Sequence, residues 1–284
     1  MKEYKSIGEL LIEYRERTNT SRLDLAAEFN VDVRTIVRWE NNSTLLKPEK
    51  EEDMVDITFI PYQVIRNLNA PVAIPTFYDF DLRKYAVSDL SKNIPDLTWI
   101  KSINDLKTDR LRPIQHKSDI KEIQRCMLLQ ANIKEVIDTS IILKATKILP
   151  ELNFIIFDTS GYYSGHSVIL PLKREIYNRL KKKEITENEI TENDLVDYKS
   201  MEKPVFFTYD LSADCNDTLY YITSALQGFF KTIQKSFTTG SYTSREDSYK
   251  INEQLGTTLI WEEKIETGGK VNTARFYENT VEKG

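Results

Sequence analysis

The feature that most constrains the fold is a series of three short helical segments near the start of the chain, each preceded by a residue that can cap it. Ser6 can cap the first segment, and Ser21 stands three residues before Asp24, the spacing of a capping box. Asp32 is placed to cap the third segment. Ala26 lacks a bulky side chain, so a neighbouring helix can approach closely. The pattern predicts a compact group of three helices joined by tight turns.

The third segment, VDVRTIVRWE (residues 31–40), has two chemically different faces. At about 100° per residue, Ile36 and Trp39 fall on the half that should be buried, whereas long hydrogen-bond donors fall on the other half. A helix that docks in the major groove needs this arrangement, because arginine can donate a bidentate pair to guanine and asparagine can do the same for adenine. The residues that we expect to contact DNA are Arg22, Val33, Arg34, Thr35, Arg38 and Asn42.

These segments resemble the helix-turn-helix of the Cro/phage-repressor class of transcriptional regulators. That class places Leu-Ala in the second helix, where this chain has Leu25-Ala26, and Ile-x-x-Trp-Glu in the third helix, where this chain has residues 36–40. The resemblance implies an ion pair between Arg15 and Glu40 that ties the first helix to the third. It also implies a sequence-specific DNA-binding regulator that forms a homodimer, because two half-sites a helical turn apart raise affinity and specificity.

The chain departs from that class at two positions. The class often has glutamine where Arg22 stands, and Arg22 would contact phosphate or a base edge from the positive end of its helix. It often has glycine where Asn42 stands, and asparagine is the next most suitable residue at a left-handed helix end. The alternative to DNA binding is a small helical bundle whose charges only face water.

The length of 284 residues favours two domains. We expect an all-α first domain over residues 1–70, in which MVDITFIPYQVIRNLNA supplies further helices interrupted at Pro61. Residues 71–109 contain prolines and aromatic residues with little periodicity, and we expect an ordered connector because exposed aromatic side chains are costly. Residues 110–284 contain both strand and helix patterns, which predicts an α/β (α+β) domain with a mixed sheet.

The second domain contains LRPI…SDI, a hairpin that turns between Gly161 and Gly165 and ends in ILPL, and then EQLGTTLIWEE. In this order the segments resemble the GNAT-type N-acetyltransferase fold over about residues 110–284. That family binds the pyrophosphate of acetyl-coenzyme A with a glycine-containing loop between the central strand and the next helix. Here the junction is DLSADCNDTLYY, which has no glycine and carries Asp214 and Asp217. Carboxylates at a helix N-terminus would repel phosphate, so we expect a catalytically inactive domain with no cofactor.

Other positions of the second domain lead to the same expectation. The family's tyrosine before its Leu-Gly-Phe motif corresponds to Asn252, before Gly256, so a general acid is missing. Gly228 falls in mid-helix and Gly268-Gly269 in a late turn. We therefore assign no catalytic residue, and we expect this domain to bind a small-molecule or protein effector or to mediate self-association.

Several polar residues of the second domain have a structural and a functional interpretation. Asp210 ends the predicted central strand, where enzymes of this family can hold a general base, although a capping role is more common. His166 could be catalytic, but a lone hairpin histidine is usually structural or exposed. His116 has no evident partner in the sequence. Lys181–Lys183 are expected to be solvated, and contact with DNA phosphate is the other interpretation.

Composition limits the remaining functions. The net charge of -5 means that contact with nucleic acid depends on a local patch. Cys126 and Cys215 are too few for a zinc cluster, so we expect no metal and reduced thiols in the cytoplasm. No apolar run is long enough for a membrane span. Besides a regulator, the sequence allows an acetyl-coenzyme A-dependent N-acyltransferase fused to a DNA-binding module, or a nucleoid or plasmid-maintenance protein of low sequence specificity.

Overall fold

The computed structural model describes residues 1–93, 108–130, 133–267 and 270–283. The chain forms two compact units, Met1–Asn93 and Ile94–Gly284. No described helix combines the length and the apolar character that a membrane crossing requires.

The first unit combines helices with a small antiparallel sheet. Its helices are α1 (Ile7–Thr18), α2 (Arg22–Glu28), α3 (Val33–Glu40), α4 (Pro48–Thr58) and α5 (Tyr62–Leu68). Its strands, in the order β1–β2–β3, are β1 (Lys2–Tyr4), β2 (Thr76–Asp79) and β3 (Lys84–Ala86), and a 3-10 turn follows at Leu90–Lys92.

The starts of the second and third helices follow from the expected caps. Ser21 Oγ accepts a hydrogen bond from the Asp24 backbone N–H at 3.1 Å, and Asp24 Oδ2 accepts one from the Ser21 backbone N–H at 3.3 Å. Asp32 Oδ1 accepts from the Arg34 backbone N–H at 2.8 Å. These bonds satisfy N–H groups that have no partner inside a helix. The predicted group of three short helices is confirmed in position and in its caps.

The expectation that the first domain is all-α is wrong, because β1 pairs with β2 from the far end of the unit. Lys2 lies opposite Tyr78, and Tyr4 lies opposite Thr76. The pairing helps to bury Tyr78, whose ring lies 4.8 Å from that of Phe80. Strands this short leave almost no alternation in a sequence, and they pair only when distant segments meet.

The first unit therefore extends to Asn93, past the boundary expected at residue 70. Residues 76–86, which the sequence placed in a connector, form β2 and β3 and pair with each other and with β1. Tyr78 and Phe80 of this segment pack inside the core of the first unit. Residues 94–107 of the expected connector lie outside the described residues.

Within the described residues, the second unit is a seven-stranded mixed sheet in the order β4–β5–β6–β7–β8–β10–β9. The strands are β4 (Leu111–Pro113), β5 (Phe154–Phe157), β6 (Tyr163–Pro171), β7 (Val205–Ala213), β8 (Phe237–Thr243), β9 (Thr258–Thr267) and β10 (Lys270–Val281). The helices are α6 (Lys117–Leu128), α7 (Thr139–Ile148), α8 (Arg174–Lys181), α9 (Asn216–Thr232) and α10 (Glu246–Gln254), with 3-10 turns at Glu187–Glu189, Glu192–Asp194 and Tyr198–Ser200.

Helices cover both faces of this sheet. Ile142 of α7 and Tyr177 of α8 share a buried cluster with Phe207 of β7 on one face. Phe229 of α9 packs with Phe206 of β7 on the other face. Each large apolar side chain buried in this way contributes about 1.5–3 kcal/mol relative to exposure. The mixed sheet between helical layers confirms the expected α/β class and is consistent with the acetyltransferase-like fold.

Of the two glycines predicted in the hairpin turn, one lies in the turn and the other lies in a strand. Gly161, with φ 88°, lies in the turn, where a residue without Cβ adopts the left-handed region freely. Gly165 lies in β6, and a Cβ there would come within 2.4 Å of the Ser212 backbone oxygen. The hairpin is therefore shorter at its turn than the sequence indicated, and β6 and β7 approach closely at Gly165.

Candidate functional site

Helix α3 is fixed to the first unit by its apolar side. Ile36 is fully buried and Trp39 is 4% exposed. The indole of Trp39 meets the ring of Phe29 edge-on, with 5.4 Å between centroids. Arg34 and Arg38 are exposed on the opposite side, and among the described residues neither forms a side-chain ion pair. The helix thus presents two free guanidinium groups on a rigid support.

A buried carboxylate joins α3 to the two preceding helices. Arg15 Nε donates to Glu40 Oε1 at 2.9 Å, so the expected Arg15–Glu40 pair is present. Arg22 Nε donates to the other oxygen, Oε2, at 2.6 Å. Glu40 is 4% exposed, and two partners compensate for removing its charge from water. Arg22, expected at DNA, therefore has one nitrogen engaged inside the unit.

The end of α3 approaches the start of α1. Asn42 has φ 55°, the left-handed conformation expected of it, but it lies beyond the helix end at Glu40. Its Oδ1 accepts from the Gly8 backbone N–H at 3.0 Å. A Cβ at Gly8 would lie 2.3 Å from the Glu40 backbone oxygen. Asn42 therefore holds two helices together with the oxygen that a contact with adenine would use.

The other two residues expected at DNA lie at the edge of the exposed face. Val33 is half-buried and packs against the core of the first unit. Thr35 is also half-buried. Of the six expected residues, Arg34 and Arg38 are therefore the two that are exposed and have no side-chain partner among the described residues.

The second unit contains a buried polar chain that the sequence did not indicate. His166 Nε2 lies 2.6 Å from Asp210 Oδ2, and His166 Nδ1 lies 2.5 Å from the hydroxyl oxygen of Tyr163. His166 is fully buried, so the interpretation of an exposed hairpin histidine is wrong, whereas the structural and the catalytic interpretations both fit its position. Burial raises the pKa of the Tyr163 phenol well above its usual value. A carboxylate, an imidazole and a phenol in contact can hold or relay a proton.

Strand register explains this contact. His166 lies opposite Ser212, so Asp210 is its diagonal neighbour on the adjacent strand. Val168 pairs with Asp210 but Ile169 pairs with Thr208, which leaves Tyr209 as an extra residue in β7. Such a bulge interrupts the alternation of faces and redirects the following side chain. A single sequence does not reveal the bulge, and therefore gave no signal that the two residues meet.

Two cavities meet where β7 and β8 separate. Their parallel pairing ends at Thr208 and Ser241. Cavity A, of about 550 Å³, also borders Leu180 of α8 and Trp261 of β9. Cavity B, of about 360 Å³, lies against α9 and α10 and includes Asn252 in its wall. The residues that line both cavities are Tyr209, Asp210, Tyr242, Thr243 and Arg245.

Charged side chains at this junction shift each other's pKa values. Arg245 Nη2 lies 3.0 Å from Asp247 Oδ2. Burial acts to lower the pKa of Arg245, but the carboxylates of Asp247 and Asp210 outweigh it and raise that pKa. Burial, together with the charge of Asp210, raises the pKa of Glu187 to about 8. Arg245 is therefore cationic, while the Glu187 carboxyl holds its proton at neutral pH.

The N-terminus of α9 does not suit a pyrophosphate. Asp214, just before the helix, is buried, and its Oδ1 accepts from Ser164 Oγ at 2.8 Å and Thr218 Oγ1 at 2.7 Å. Burial raises its pKa to about 6, although these hydroxyl bonds act to lower it. Asp217 is exposed in the first helical turn. The residues here do not fit the phosphates of coenzyme A, because acidic side chains occupy the positive end of the helix.

The structure also shows the surroundings of the remaining residues that the sequence analysis considered. His116 precedes α6, and its backbone N–H donates to Asp119 Oδ2 at 3.0 Å. Lys181 pairs with Glu278 at 2.9 Å and Lys183 with Glu263 at 2.6 Å, while Lys182 is exposed. Gly268-Gly269 lies outside the described residues. Among the described residues, no group of three or more His, Cys, Asp or Glu is arranged to hold a metal ion.

Comparisons with known proteins find distant structural likeness to solved structures. No family model and no curated protein sequence matches the chain. An agmatine N-acetyltransferase mutant is 12% identical, with a TM-score of 0.41, over 60% of this chain and 98% of that one. The Drosophila melanogaster polyamine N-acetyltransferase is 12% identical, with a TM-score of 0.39, over 60% of this chain and 99% of that one. A Sinorhizobium meliloti phosphinothricin acetyltransferase of the GNAT superfamily is 11% identical, with a TM-score of 0.39, over 61% of this chain and 89% of that one. Likeness at this level is too weak to assign an activity to the chain.

Proposed function

We propose that the first unit binds double-stranded DNA, with α3 in the major groove, and that the protein is a sequence-specific transcriptional regulator of the cytoplasm. One observation carries the proposal. Ile36 and Trp39 hold α3 from behind, while Arg34 and Arg38 are exposed and free of intramolecular ion pairs among the described residues. Guanidinium groups in this position can donate to guanine O6 and N7.

The other expected residues have supporting roles in this proposal. Arg15 and Arg22 hold Glu40 and so set the angle between α3 and the preceding helices. Arg22 is half-exposed and can contact a phosphate with the part of its guanidinium that does not meet Glu40. Val33 and Thr35 can contact a thymine methyl group at the edge of the groove. The net charge of -5 means that affinity depends on this local surface, and we propose a homodimer that contacts two half-sites.

Selection of bound DNA from a random pool, followed by sequencing, tests the proposal. A homodimer that recognises sequence should enrich a consensus with two-fold symmetry. DNA binding without an enriched consensus would instead indicate a nucleoid-type protein. In that case the affinity should fall by the same factor for every DNA sequence as salt is raised. An absence of binding at low salt would refute any DNA-binding role.

A second candidate function is N-acyl transfer by the second unit, and one observation favours it. Two cavities meet at Asp210, which contacts the buried His166. A carboxylate–imidazole pair between two ligand sites can take a proton from an acceptor amine. Because the N-terminus of α9 does not fit a pyrophosphate, this candidate requires an acyl donor held in another way.

Calorimetric titration of the full chain with acetyl-coenzyme A separates the two functions of the second unit. Micromolar binding, with transfer to an amine that Asp210→Asn abolishes, would support the enzyme. Without such binding, the second unit serves as an effector or self-association domain, and the DNA-binding proposal is unaffected.

A further inference from the structure

Cavity A has three buried polar atoms in its wall that lack a hydrogen-bond partner among the described residues. They are Gln130 Nε2, Glu187 Oε1 and Arg245 Nη1. Gln130 is 7% exposed as a whole residue. Glu187 is partly exposed, but this carboxylate oxygen is not accessible. Arg245 already binds Asp247 through Nε and Nη2, and Nη1 is the nitrogen left over.

Polar atoms in such positions point to a ligand. Burial of a donor or an acceptor without a partner is costly, and most proteins leave few such atoms. Here three of them come from separate segments of the chain and line one cavity of about 550 Å³. That volume lies within the range of about 300–1,000 Å³ typical of small-molecule sites. A ligand that reaches all three atoms would supply the missing hydrogen bonds.

The chemistry of the wall restricts the ligand. Gln130 Nε2 and Arg245 Nη1 are donors and need an acceptor, whereas Glu187 Oε1 can accept from a donor. Among the described lining residues, three are basic (Lys134, Lys183 and Arg245) and four are acidic (Glu135, Glu187, Asp210 and Glu263). With the Glu187 carboxyl protonated in the empty cavity, the two signs balance, which suits a ligand without net charge.

The rest of the wall is apolar. Phe207, Phe276 and Trp261 line the same cavity, together with aliphatic side chains such as Leu180 and Ile185. An apolar ligand body would therefore be removed from water on binding, which is favourable in proportion to its area. The polar atoms would fix its orientation.

We propose that cavity A binds a zwitterionic amino acid with an apolar side chain. Its carboxylate accepts hydrogen bonds from Arg245 and Gln130, its ammonium donates to Glu187, and its side chain packs against the aromatic wall. This inference does not depend on DNA binding, because every residue it uses lies in the second unit.

Isothermal titration calorimetry of the full chain with L-phenylalanine, L-leucine and L-tryptophan tests the proposal. Phenethylamine, which lacks the carboxylate, and 3-phenylpropionate, which lacks the ammonium, serve as controls. We expect at least one of the amino acids to bind, and L-phenylalanine to bind about tenfold or more tighter than either analogue. Equal binding of an analogue, or no binding of any amino acid at millimolar concentration, would overturn the proposal.

A matched pair of variants, at Gln124 within α6 and at Gln130 just after it, locates the site. Gln130→Leu removes a buried amide whose Nε2 has no partner among the described residues, so we expect a higher melting temperature without ligand and about tenfold weaker binding of the amino acid. Gln124→Leu removes an amide that donates to the Ile137 backbone oxygen at 3.0 Å, so we expect a lower melting temperature and unchanged binding.

The reverse pattern, with binding lost only in Gln124→Leu, would contradict the assignment. Glu187→Gln provides a second test on a different segment, because it keeps the size of the side chain and removes a carboxyl group that can ionise when an ammonium binds beside it. Unchanged affinity in both Gln130→Leu and Glu187→Gln would place the ligand elsewhere. A failed DNA selection would leave these results as they are, because no DNA is present in the titration.

Discussion

The surface of α3 and the junction of the two cavities use charged residues in opposite ways. Arg34 and Arg38 stand on an exposed face, where water solvates them until a large partner replaces it. Arg245 and Glu187 border a cavity, where burial and neighbouring carboxylates shift their pKa values. Exposed cations suit an extended polyanion and lose strength as salt is added, whereas buried groups suit a small ligand and are screened little. The same side chain, arginine, therefore suits a different kind of ligand in each unit because its exposure to solvent differs.

The two regions also differ in how they are supported. The α3 surface depends on one apolar anchor and one buried carboxylate, Glu40, shared by two arginines. The cavity junction depends on a strand bulge at Tyr209 and on residues from distant parts of the second unit. A substitution in one region should leave the other region unchanged if the two units fold independently.

The largest effect is expected from Trp39→Ala. Loss of a buried aromatic side chain should lower the stability of the first unit by about 3–5 kcal/mol and remove DNA binding. Chemical denaturation, monitored with one spectroscopic probe in each unit, would measure the free energy of unfolding of the first unit separately. A loss of amino-acid binding in the same variant would show that the two units are coupled and that the two regions do not act independently.

A smaller effect is expected from Gly8→Ala, with Gly228→Ala as its control. The new methyl group at Gly8 would overlap the Glu40 backbone oxygen, so we expect a loss of about 1–3 kcal/mol. No atom lies within 4 Å of the Cβ position at Gly228, a helical glycine, so alanine there should stabilise the second unit by about 0.5–1 kcal/mol. Thermal unfolding of both variants would measure the difference. Equal changes would mean that α1 and α3 are not in close contact in solution.

Arg38→Ala tests whether the exposed face of α3 contacts DNA bases or only the phosphate backbone. If Arg38 contacts a base, binding to the selected DNA should weaken by about 1–3 kcal/mol and specificity should relax at one base position. Affinities for a set of single-base variants of that DNA would measure this, with the stability of the first unit unchanged. An equal loss on every sequence would make Arg38 a phosphate contact instead.

A pH-dependent effect is also expected from carboxyl groups of the second unit. The pKa of Glu187 is raised from 4.5 to about 8, and that of Asp214 from 3.8 to about 6, so the folded chain binds more protons than the unfolded chain between these limits. Stability should therefore be highest at the acidic end of that window and fall as pH rises through it. Glu187→Gln should remove the part of the fall between pH 6 and 8, as denaturant titrations at several pH values would show. Stability that rises across this window would contradict the burial of both carboxyl groups.

Local chemistry explains how much could be predicted from the sequence. The caps at Ser21 and Asp32 and the buried Trp39 depend on residues close together in the chain or on one helical period. The Arg15–Glu40 pair joins residues 25 positions apart, and only the family resemblance implied it. The mixed α/β character of the second unit also follows from local patterns. The partners of Arg22 and Asn42 could not be predicted, because each bonds to a residue that is near only after the helices pack.

By itself, the sequence determined the short helices of the first unit, their caps, the two faces of α3 and the acidic N-terminus of α9, because these depend on the period of a helix and on side chains that act within a few residues. Only the tertiary structure decided that β1 pairs with β2, that a bulge at Tyr209 brings Asp210 to His166, and that Gln130, Glu187 and Arg245 line one cavity. Strand pairing and cavity walls join residues far apart in the chain, and their geometry is set by packing rather than by any local preference.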